Sequence, residues 1–291
     1  MYTIGIDIGG TKVKFGLFNE QKQLVQTEDI KTPTEAVVET MINKIRDLDK
    51  GIELKGIGIA TAGIVDFEKG IITSAANIPA FVNVPLAEQL KSAFNVPVVV
   101  DNDANSAALA EGMSGAATSV KSYICIAIGT GIGGGIIHNN QLVHGLNGYS
   151  GEVGHMVIVP DGKQCGCGRK GCWEAYASGR ALERMIQEDP VLSNKNFSPQ
   201  QLFENYQENE YCKKIVDTFI DYLAIGISNL QYLFDPEMIV IGGGVIDSSE
   251  YWWENLVEKA TNFSSIPLNL QQAHLKNNAS MIGASYLVPE R

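Results

Sequence analysis

Apolar and polar residues alternate along the chain in segments that predict both strands and helices. Short apolar runs predict strands over 2–9, 12–18, 55–65, 97–100 and 237–246, and a pair of strands within 123–145. Apolar residues at helical spacing predict helices over 34–48, 85–94, 104–113, most of 198–234, and 250–261. The polar stretch 188–210 predicts an exposed excursion. Because strands and helices alternate, the pattern indicates the α/β class.

One unit, a strand followed by a glycine turn and a second strand, occurs twice. It spans 2–18 with Gly9-Gly10 at its turn, and it recurs over 123–145. The repetition predicts two related α/β domains that face each other across a cleft. The predicted domains are 1–118 with a C-terminal helix at 279–291, and 119–278, which carries the loop 155–172.

The two glycine turns have the composition of phosphate-binding loops. Glycine lets a phosphate approach successive backbone N–H groups, which together form an anion-binding nest. Thr11 and Thr130 add hydroxyl donors, and Asp7 at a strand end suits a hydrated Mg²⁺. Either turn alone fits a hairpin without a ligand equally well, but a third turn, IGGGV over 241–245, favours phosphate binding. A Walker A loop is absent, and GTGIGGG lacks the following helix that a dinucleotide fingerprint requires.

Asp101 and Asp103 follow the predicted strand at 97–100 and precede an alanine-rich helix. Aspartate is a favoured N-cap residue, so that capping or a simple turn role explains either carboxylate. For Asp101 we favour that structural role. For Asp103 the residues alone leave the role open.

Residues 152–174 read EVGHMVIVPDGKQCGCGRKGCWE and hold three of the five cysteines and one of the four histidines. Three thiolates and one imidazole form the donor set of a closed structural zinc site. An iron–sulfur cluster usually requires four cysteines, and a disulfide between Cys165 and Cys167 would be strained. We therefore favour Zn²⁺, held by His155, Cys165, Cys167 and Cys172. The other histidines are interpreted as loop or surface residues without a partner cluster: His138, His144 and His274.

Composition and charge argue against several other classes of protein. The 291 residues carry a net charge of −11, whereas nucleic-acid binding relies on clustered lysine and arginine. No run approaches the ~18 apolar residues of a membrane span, and the first residues lack the pattern of a signal peptide. Five cysteines, an odd number, argue against a disulfide framework and favour a cytoplasmic location. We expect neither nucleic acid nor membrane as a partner.

Five motifs, in order along the chain, resemble those of the ROK family (repressor, open reading frame, kinase). They are DIGGTK at 7–12, DNDANSAALAE at 101–111, IGTGIGGGI at 128–136, GEVGH at 151–155 and CGCGRKGCWE at 165–174. The resemblance covers essentially the whole chain. It implies two actin-like ATPase (ribonuclease H-like) domains flanking a cleft, in a homodimeric sugar kinase. Such a kinase transfers the γ-phosphate of ATP to a hexose, with Mg²⁺ on the nucleotide and a structural Zn²⁺.

The resemblance also implies roles for individual residues. Asp103, the second aspartate of its motif, is the implied general base. The implied sugar contacts are Gly63, Asn77, Asn102, Asp103, Gly131, Glu152, His155 and Glu174. The implied nucleotide contacts are Asp7, Gly9, Gly10, Thr11, Lys12, Gly129, Thr130, Gly131, Gly133, Gly242, Gly243 and Gly244, the last three by the adenosine.

The substrate is less closely specified by the motifs. Ala62-Gly63 stands where many ROK glucokinases have Pro-Gly, and AANIPA at 75–80 is similar to N-acetylhexosamine kinases. The resemblance implies the 6-OH of glucose, ahead of N-acetylmannosamine or N-acetylglucosamine. Fructose ranks lower because ROK fructokinases tend to open with EAGGTK.

Two other functions are known among ROK proteins, and each leads to a different expectation for the sequence. A non-catalytic ROK sugar sensor would be expected to lose the base or a phosphate loop. A ROK repressor would be expected to carry a helix-turn-helix domain ahead of the first motif.

Ser280 replaces a glycine found in many members of the family. We expect this substitution to have only a structural effect, in a helix that packs on the N-terminal domain.

Overall fold

A computed structural model describes residues 1–195 and 197–289. The strands are β1 (Tyr2–Ile8), β2 (Lys12–Phe18), β3 (Leu24–Lys31), β4 (Leu54–Thr61), β5 (Ile64–Asp66), β6 (Ile71–Ser74), β7 (Val98–Asn102), β8 (Tyr123–Ile128), β9 (Ile132–His138), β10 (Gln141–Leu142), β11 (Met238–Gly242) and β12 (Leu270–Gln272). The α-helices are α1 (Val37–Asp49), α2 (Leu86–Phe94), α3 (Asp103–Ser114), α4 (Glu174–Ala177), α5 (Gly179–Glu188), α6 (Pro199–Glu204), α7 (Glu210–Phe234), α8 (Trp253–Phe263) and α9 (Ala279–Leu287). Across these residues no helix is both long and apolar enough to cross a membrane.

The two main sheets repeat one strand order. The first runs β3-β2-β1-β4-β7, and the second runs β10-β9-β8-β11-β12. In each sheet the first strand of a glycine-turn hairpin lies beside strands that run parallel to it. The α/β class and the repeated design predicted from the sequence are therefore confirmed. Parallel strands end at the same edge of a sheet, and that edge carries the site residues of β1, β4 and β7.

The chain separates into two compact units. The first comprises 1–119, 135–151 and 277–291, and the second comprises 120–134 and 152–276. Segment 135–151 therefore groups with the first unit, whereas the sequence assigned it to the second domain. The reason is close packing on α3, because a Cβ added at Gly135 would lie 2.6 Å from the Cβ of Ala108.

Helix α9 packs on the first sheet, as the sequence predicted. Gly5 in β1 and Gly58 in β4 leave no room for a side chain, since the α9 backbone at Met281 and Ala284 lies directly over them. The helix ends at Leu287, and the last two residues of the predicted segment lie outside the described residues. Small residues thus allow this helix to approach the strands that carry the first glycine turn.

The predicted exposed excursion over 188–210 is wrong. Four of its side chains are buried: Leu192, Leu202, Phe203 and Tyr206. Ser198 forms a capping box with Gln201 and starts α6, and the Tyr206 hydroxyl donates to Asp217 at 2.6 Å. Polar residues outnumber apolar ones here, but the apolar ones lie on one face and fill the core. The sequence also missed strand β3, whose alternating exposed residues are typical of a sheet edge.

Candidate active site

The first glycine turn joins β1 to β2 and is held from outside the hairpin. Within the turn, Gly9 N–H donates to the Lys12 carbonyl at 3.0 Å. Thr32, which follows β3, donates its N–H to the Thr11 carbonyl at 3.1 Å and its hydroxyl to the Gly9 carbonyl at 2.6 Å. These bonds fix the backbone of the turn. Thr32 was not predicted, because nothing in the chain near it carries a recognisable motif.

Charged side chains flank this turn. Asp7 lies near the end of β1, 3.7 Å from the Lys14 ammonium. Burial raises the pKa of Asp7, against the opposing effect of Lys14. The predicted nucleotide contact Lys12 is exposed, and its ammonium donates to Asp29 at 2.8 Å. Asp7 is therefore the partly buried carboxylate of the turn, whereas Lys12 lies on the surface.

The predicted sugar contacts of the first unit lie around the ends of β1, β4 and β7. In the register of the sheet, Ile8 pairs with Thr61, which pairs with Asn102. Gly63 follows β4 with φ +96°, a conformation that favours glycine. Its carbonyl accepts the Asn102 side-chain N–H at 3.0 Å. Asn77 packs on the glycine turn itself, because a Cβ added at Gly10 would lie 3.1 Å from the Asn77 Cβ.

Asp103 is the first residue of α3, and the cap of that helix comes from its neighbour. The Asn102 Oδ1 accepts from the N–H groups of Ala104 at 2.8 Å and Asn105 at 3.2 Å. Asp103 Oδ1 also accepts from Ala104 N–H at 2.8 Å, and the Asp103 carbonyl accepts from the Ser280 hydroxyl at 3.1 Å. The Asp103 side chain is therefore not needed as the N-cap. Ser280, a departure from many members, supports the backbone of this residue.

Asp101 and His144 form a pair that the sequence analysis did not predict. Asp101 is buried, and its Oδ2 lies 2.6 Å from His144 Nε2. Its Oδ1 accepts from Asn102 N–H at 2.7 Å and from the Asn105 side chain at 3.0 Å. The His144 ring stacks on Phe67 with centroids 4.1 Å apart. The interpretation of His144 as a residue without a partner is therefore wrong, since the fold brings it to a carboxylate 43 positions away.

The second glycine turn joins β8 to β9 and is also held from outside the hairpin. Gly129 N–H donates to the Gly131 carbonyl at 2.9 Å. The start of α5 supplies two more bonds, from Gly179 N–H to the Gly129 carbonyl at 2.8 Å and from Arg180 N–H to the Thr130 carbonyl at 3.3 Å. Gly133 lies beyond the turn, within β9. Both predicted phosphate loops are thus fixed by bonds to their carbonyl groups.

The third glycine turn follows β11 beside the second one. Gly243 has φ +90°, and its Cα lies so close to the Ile128 backbone that no Cβ fits. Gly242 is similarly close to Ala273, whereas Gly244 begins a short 3₁₀ segment with open space around its Cα. In the second unit, the predicted adenosine contacts therefore adjoin the strand that leads into the second phosphate loop.

Glu174 contacts the second turn directly. Its Oε2 accepts the Ile132 N–H at 2.9 Å. A Cβ added at Gly131 would overlap this carboxylate. Glu174 is the first residue of α4, two positions after Cys172. The residue pattern alone, without the ROK resemblance, indicates a surface glutamate. In the structure, Glu174 instead accepts a hydrogen bond from the Ile132 backbone.

The geometry of the cysteine cluster fits a zinc ion. One donor atom from each of His155, Cys165, Cys167 and Cys172 lies within 4.8 Å of the others. The Sγ atoms of Cys167 and Cys172 are 3.6 Å apart, and Cys165 Sγ lies 3.7 Å from His155 Nδ1. A tetrahedron with Zn–S bonds of about 2.3 Å requires S–S separations of about 3.8 Å. The four side chains therefore form a closed donor set of the correct size.

The thiols of this cluster differ in acidity without a metal. Burial raises the pKa of Cys165 to about 12. Burial also acts on Cys167, but hydrogen bonds from the Arg169 backbone and the neighbouring thiols outweigh it and lower its pKa to about 6. The Cys167 thiol is therefore ionised near neutral pH, whereas a bound dication would have to displace protons from Cys165 and Cys172.

His155 offers its two ring nitrogens to different partners. Nδ1 points to Cys165, and Nε2 lies 3.8 Å from the Glu152 carboxylate. Burial raises the pKa of Glu152; His155 opposes this effect and Glu174 adds to it. A metal on Nδ1 therefore leaves Nε2 directed toward Glu152, so that the predicted metal and sugar roles of His155 use different atoms.

Trp173 joins the cysteine loop to helix α7. Its ring is fully buried, and its Nε1–H donates to the Tyr222 carbonyl at 2.7 Å. Gly226 of α7 must be glycine, because a Cβ there would overlap the indole. This contact adds a second constraint, besides the predicted metal, on the backbone between Cys172 and Glu174.

Comparison with known proteins agrees with this arrangement of motifs. The ROK family model matches residues 3–291. The chain belongs to the ROK family. This ROK protein is 34% identical over 311 residues to a glucokinase of Streptomyces coelicolor, covering 99% of this chain and 98% of that protein. It is 34% identical over 256 residues to an N-acetyl-D-glucosamine kinase of Vibrio atlanticus, covering 83% of each chain.

Among solved structures, this ROK protein is similar to a ROK family glucokinase from Streptomyces griseus in complex with glucose and AMPPNP. The TM-score is 0.83 with 32% identity, and the match covers 99% of both chains. The family identification made from the five motifs is thereby confirmed, and with it the actin-like ATPase fold.

Proposed function

We propose that this ROK protein is an ATP-dependent hexose kinase with Asp103 as its general base. The main structural support for this proposal is the position of Asp103 in the turn at the end of β7. Asn102 caps α3, and the half-buried Asp103 lies at the same strand end, next to this predicted sugar contact. The glucokinase relative and the similar structure with glucose and AMPPNP support the choice of a kinase.

The proposed reaction moves one phosphoryl group. Asp103 accepts the proton of a sugar hydroxyl as that oxygen bonds to the γ-phosphorus. The bond between the γ-phosphorus and its bridging oxygen breaks, and ADP leaves. Asp7 would hold water on Mg²⁺, which neutralises charge on the phosphates when bound. The two glycine turns would supply backbone N–H groups for the phosphates, at Gly10–Lys12 and Thr130–Gly131, because the N–H groups of Gly9 and Gly129 close the turns themselves.

Gly63, Asn77 and Asn102 of the first unit are proposed sugar contacts. The same role is proposed for Glu152, His155 and Glu174 of the second unit. Zn²⁺ on His155 and the three cysteines would fix the loop that carries these last residues. We infer glucose and its 6-OH as the acceptor. The N-acetylglucosamine kinase relative supports N-acetylhexosamines as the second candidate. A cytoplasmic homodimer is the inferred state.

Replacement of Asp103 tests this function most directly. A coupled ADP-release assay with Mg-ATP compares glucose, mannose, fructose, N-acetylglucosamine and N-acetylmannosamine. We expect Asp103→Asn to lower kcat by about 10²- to 10⁴-fold while melting temperature and sugar affinity are retained, because only proton transfer is lost. Asp47→Asn, an exposed change on α1, is the control and should leave the rate unchanged.

Two results would contradict the proposal. A wild-type rate in Asp103→Asn would remove this residue from the base role. Absence of turnover on every hexose by folded, zinc-loaded wild-type protein that still binds a sugar would favour a sugar sensor.

A further inference from the structure

The segment that follows the cysteine cluster bonds to the second glycine turn at three points. Gly179 and Arg180 donate backbone N–H groups to the Gly129 and Thr130 carbonyls. The third bond runs in the opposite sense, from the Ile132 N–H to Glu174 Oε2 at 2.9 Å. The first two bonds involve only backbone atoms, whereas the third depends entirely on one side chain.

The Glu174 carboxylate has little freedom to move. Gly131 approaches it so closely that no Cβ fits between them. The preceding Trp173 is fully buried and hydrogen-bonded to α7, which fixes the backbone from which Glu174 extends. A charge-assisted hydrogen bond from an N–H to a carboxylate is stronger than one between neutral groups. Glu174 therefore holds the orientation of the peptide group between Gly131 and Ile132.

We propose that Glu174 is a positioning residue for the second phosphate loop. By accepting the Ile132 N–H, it fixes the end of the turn whose other N–H groups meet the nucleotide phosphates. This role is additional to any contact of Glu174 with the sugar. It rests on the proposed function in one respect only, namely that the turn binds nucleotide.

Two conservative variants separate the hydrogen bond from the charge. Glu174→Gln keeps an acceptor oxygen at the same reach and loses the charge. Glu174→Asp keeps the charge, but its side chain is one methylene too short to reach Ile132. Glu188→Ala is the matched control, because that exposed glutamate contacts Lys163 of the cysteine loop and lies outside the site.

Two measurements are made without sugar. Hydrogen–deuterium exchange of the peptide over 129–134 reports on the loop, and binding of a fluorescent ATP analogue reports on nucleotide affinity. We expect Glu174→Asp to speed exchange and weaken nucleotide binding by roughly 3- to 10-fold, as loss of one hydrogen bond to a charged group implies. Glu174→Gln, which keeps the acceptor but not its charge, should be impaired less than Glu174→Asp, and Glu188→Ala should remain close to wild type. Melting temperatures should be unchanged in all three variants.

The opposite order would overturn the proposal. If Glu174→Asp behaves as wild type while Glu174→Gln is impaired, then the charge and not the bond to Ile132 matters. Unchanged exchange in both variants would overturn it equally. If wild-type protein binds no nucleotide, the proposed kinase function fails, yet the exchange data still decide whether Glu174 holds the loop.

Discussion

The two predicted phosphate loops share a local design and differ in the residues that hold them. Each is a glycine turn between antiparallel strands, closed by a hydrogen bond donated by its first glycine. The first is fixed by Thr32, through one backbone and one hydroxyl bond. The second is fixed by Gly179, Arg180 and Glu174, which all follow the cysteine cluster. The same kind of turn thus depends on the residue after β3 in one unit and on the segment after the predicted zinc loop in the other.

In each unit, a side chain implied in sugar binding lies directly against a glycine of the turn. Asn77 meets Gly10 through carbon atoms, whereas Glu174 meets Gly131 with its carboxylate. Glycine at these positions allows close packing of a predicted sugar contact, in addition to the proposed approach of a phosphate. In each unit, a predicted phosphate loop and a predicted sugar contact are therefore built from adjacent atoms.

Metal removal should have the largest effect and should separate the two loops. In protein prepared with zinc, a chelator should expose the cysteine loop and lower the melting temperature by about 10 °C. Exchange of peptides over 129–134 should increase, while exchange over 7–12 stays constant, because only the second turn is bonded to the segment after Cys172. An equal increase in exchange over 7–12 and 129–134 would contradict the difference between the two loops. Restored zinc should reverse the change.

Asp7 should make the activity that depends on the first loop fall as the pH is lowered. Its raised pKa means that the ionised form needed for Mg²⁺ is lost at a higher pH than for an ordinary aspartate. We expect Asp7→Asn to lower activity by about 10- to 100-fold, as for other groups that hold metal-bound water. A pH–rate profile and the Mg²⁺ dependence of the rate measure these effects.

Asp7→Asn should lower activity but increase the stability of the folded protein at neutral pH. A carboxyl group whose pKa is raised by folding destabilises the folded state when ionised, so its cost grows as pH rises from the unfolded to the folded pKa. Asp7→Asn should therefore raise the melting temperature at neutral pH, with no gain in strong acid. A lower melting temperature at neutral pH would show that the contact with Lys14 outweighs burial.

Thr32→Val should give the smallest effect, confined to the first loop. The valine side chain has the same shape but removes the donor to the Gly9 carbonyl, at a cost of about 1 kcal/mol. We expect nucleotide affinity to fall by roughly 3- to 5-fold and exchange over 7–12 to increase. Thr34→Val, an exposed change two positions away, is the control. Increased exchange over 129–134 instead would contradict the independent support of the two turns.

Local patterns predicted most elements of the fold and the candidate residues of the site. The glycine turns, the strand before Asp103 and the cysteine cluster are each contained within a few tens of residues and have recognisable spacing. The failures have a common cause. Thr32, the Asp101–His144 pair and the buried face of 188–210 acquire their roles from segments that are distant along the chain. Their residue types are common, so nothing nearby marks them.

The amino-acid sequence by itself determined the α/β class, the two glycine turns, the zinc donor set and the candidate base. These follow from residue type and short-range spacing, which already restrict backbone conformation and ligand chemistry. Only the tertiary structure decided which partners these groups take. Glu174 lies 42 positions from Ile132, and His144 lies 43 from Asp101. Such pairs form only after sheet order and helix packing bring distant segments together, because a hydrogen bond requires its atoms to lie within about 3 Å.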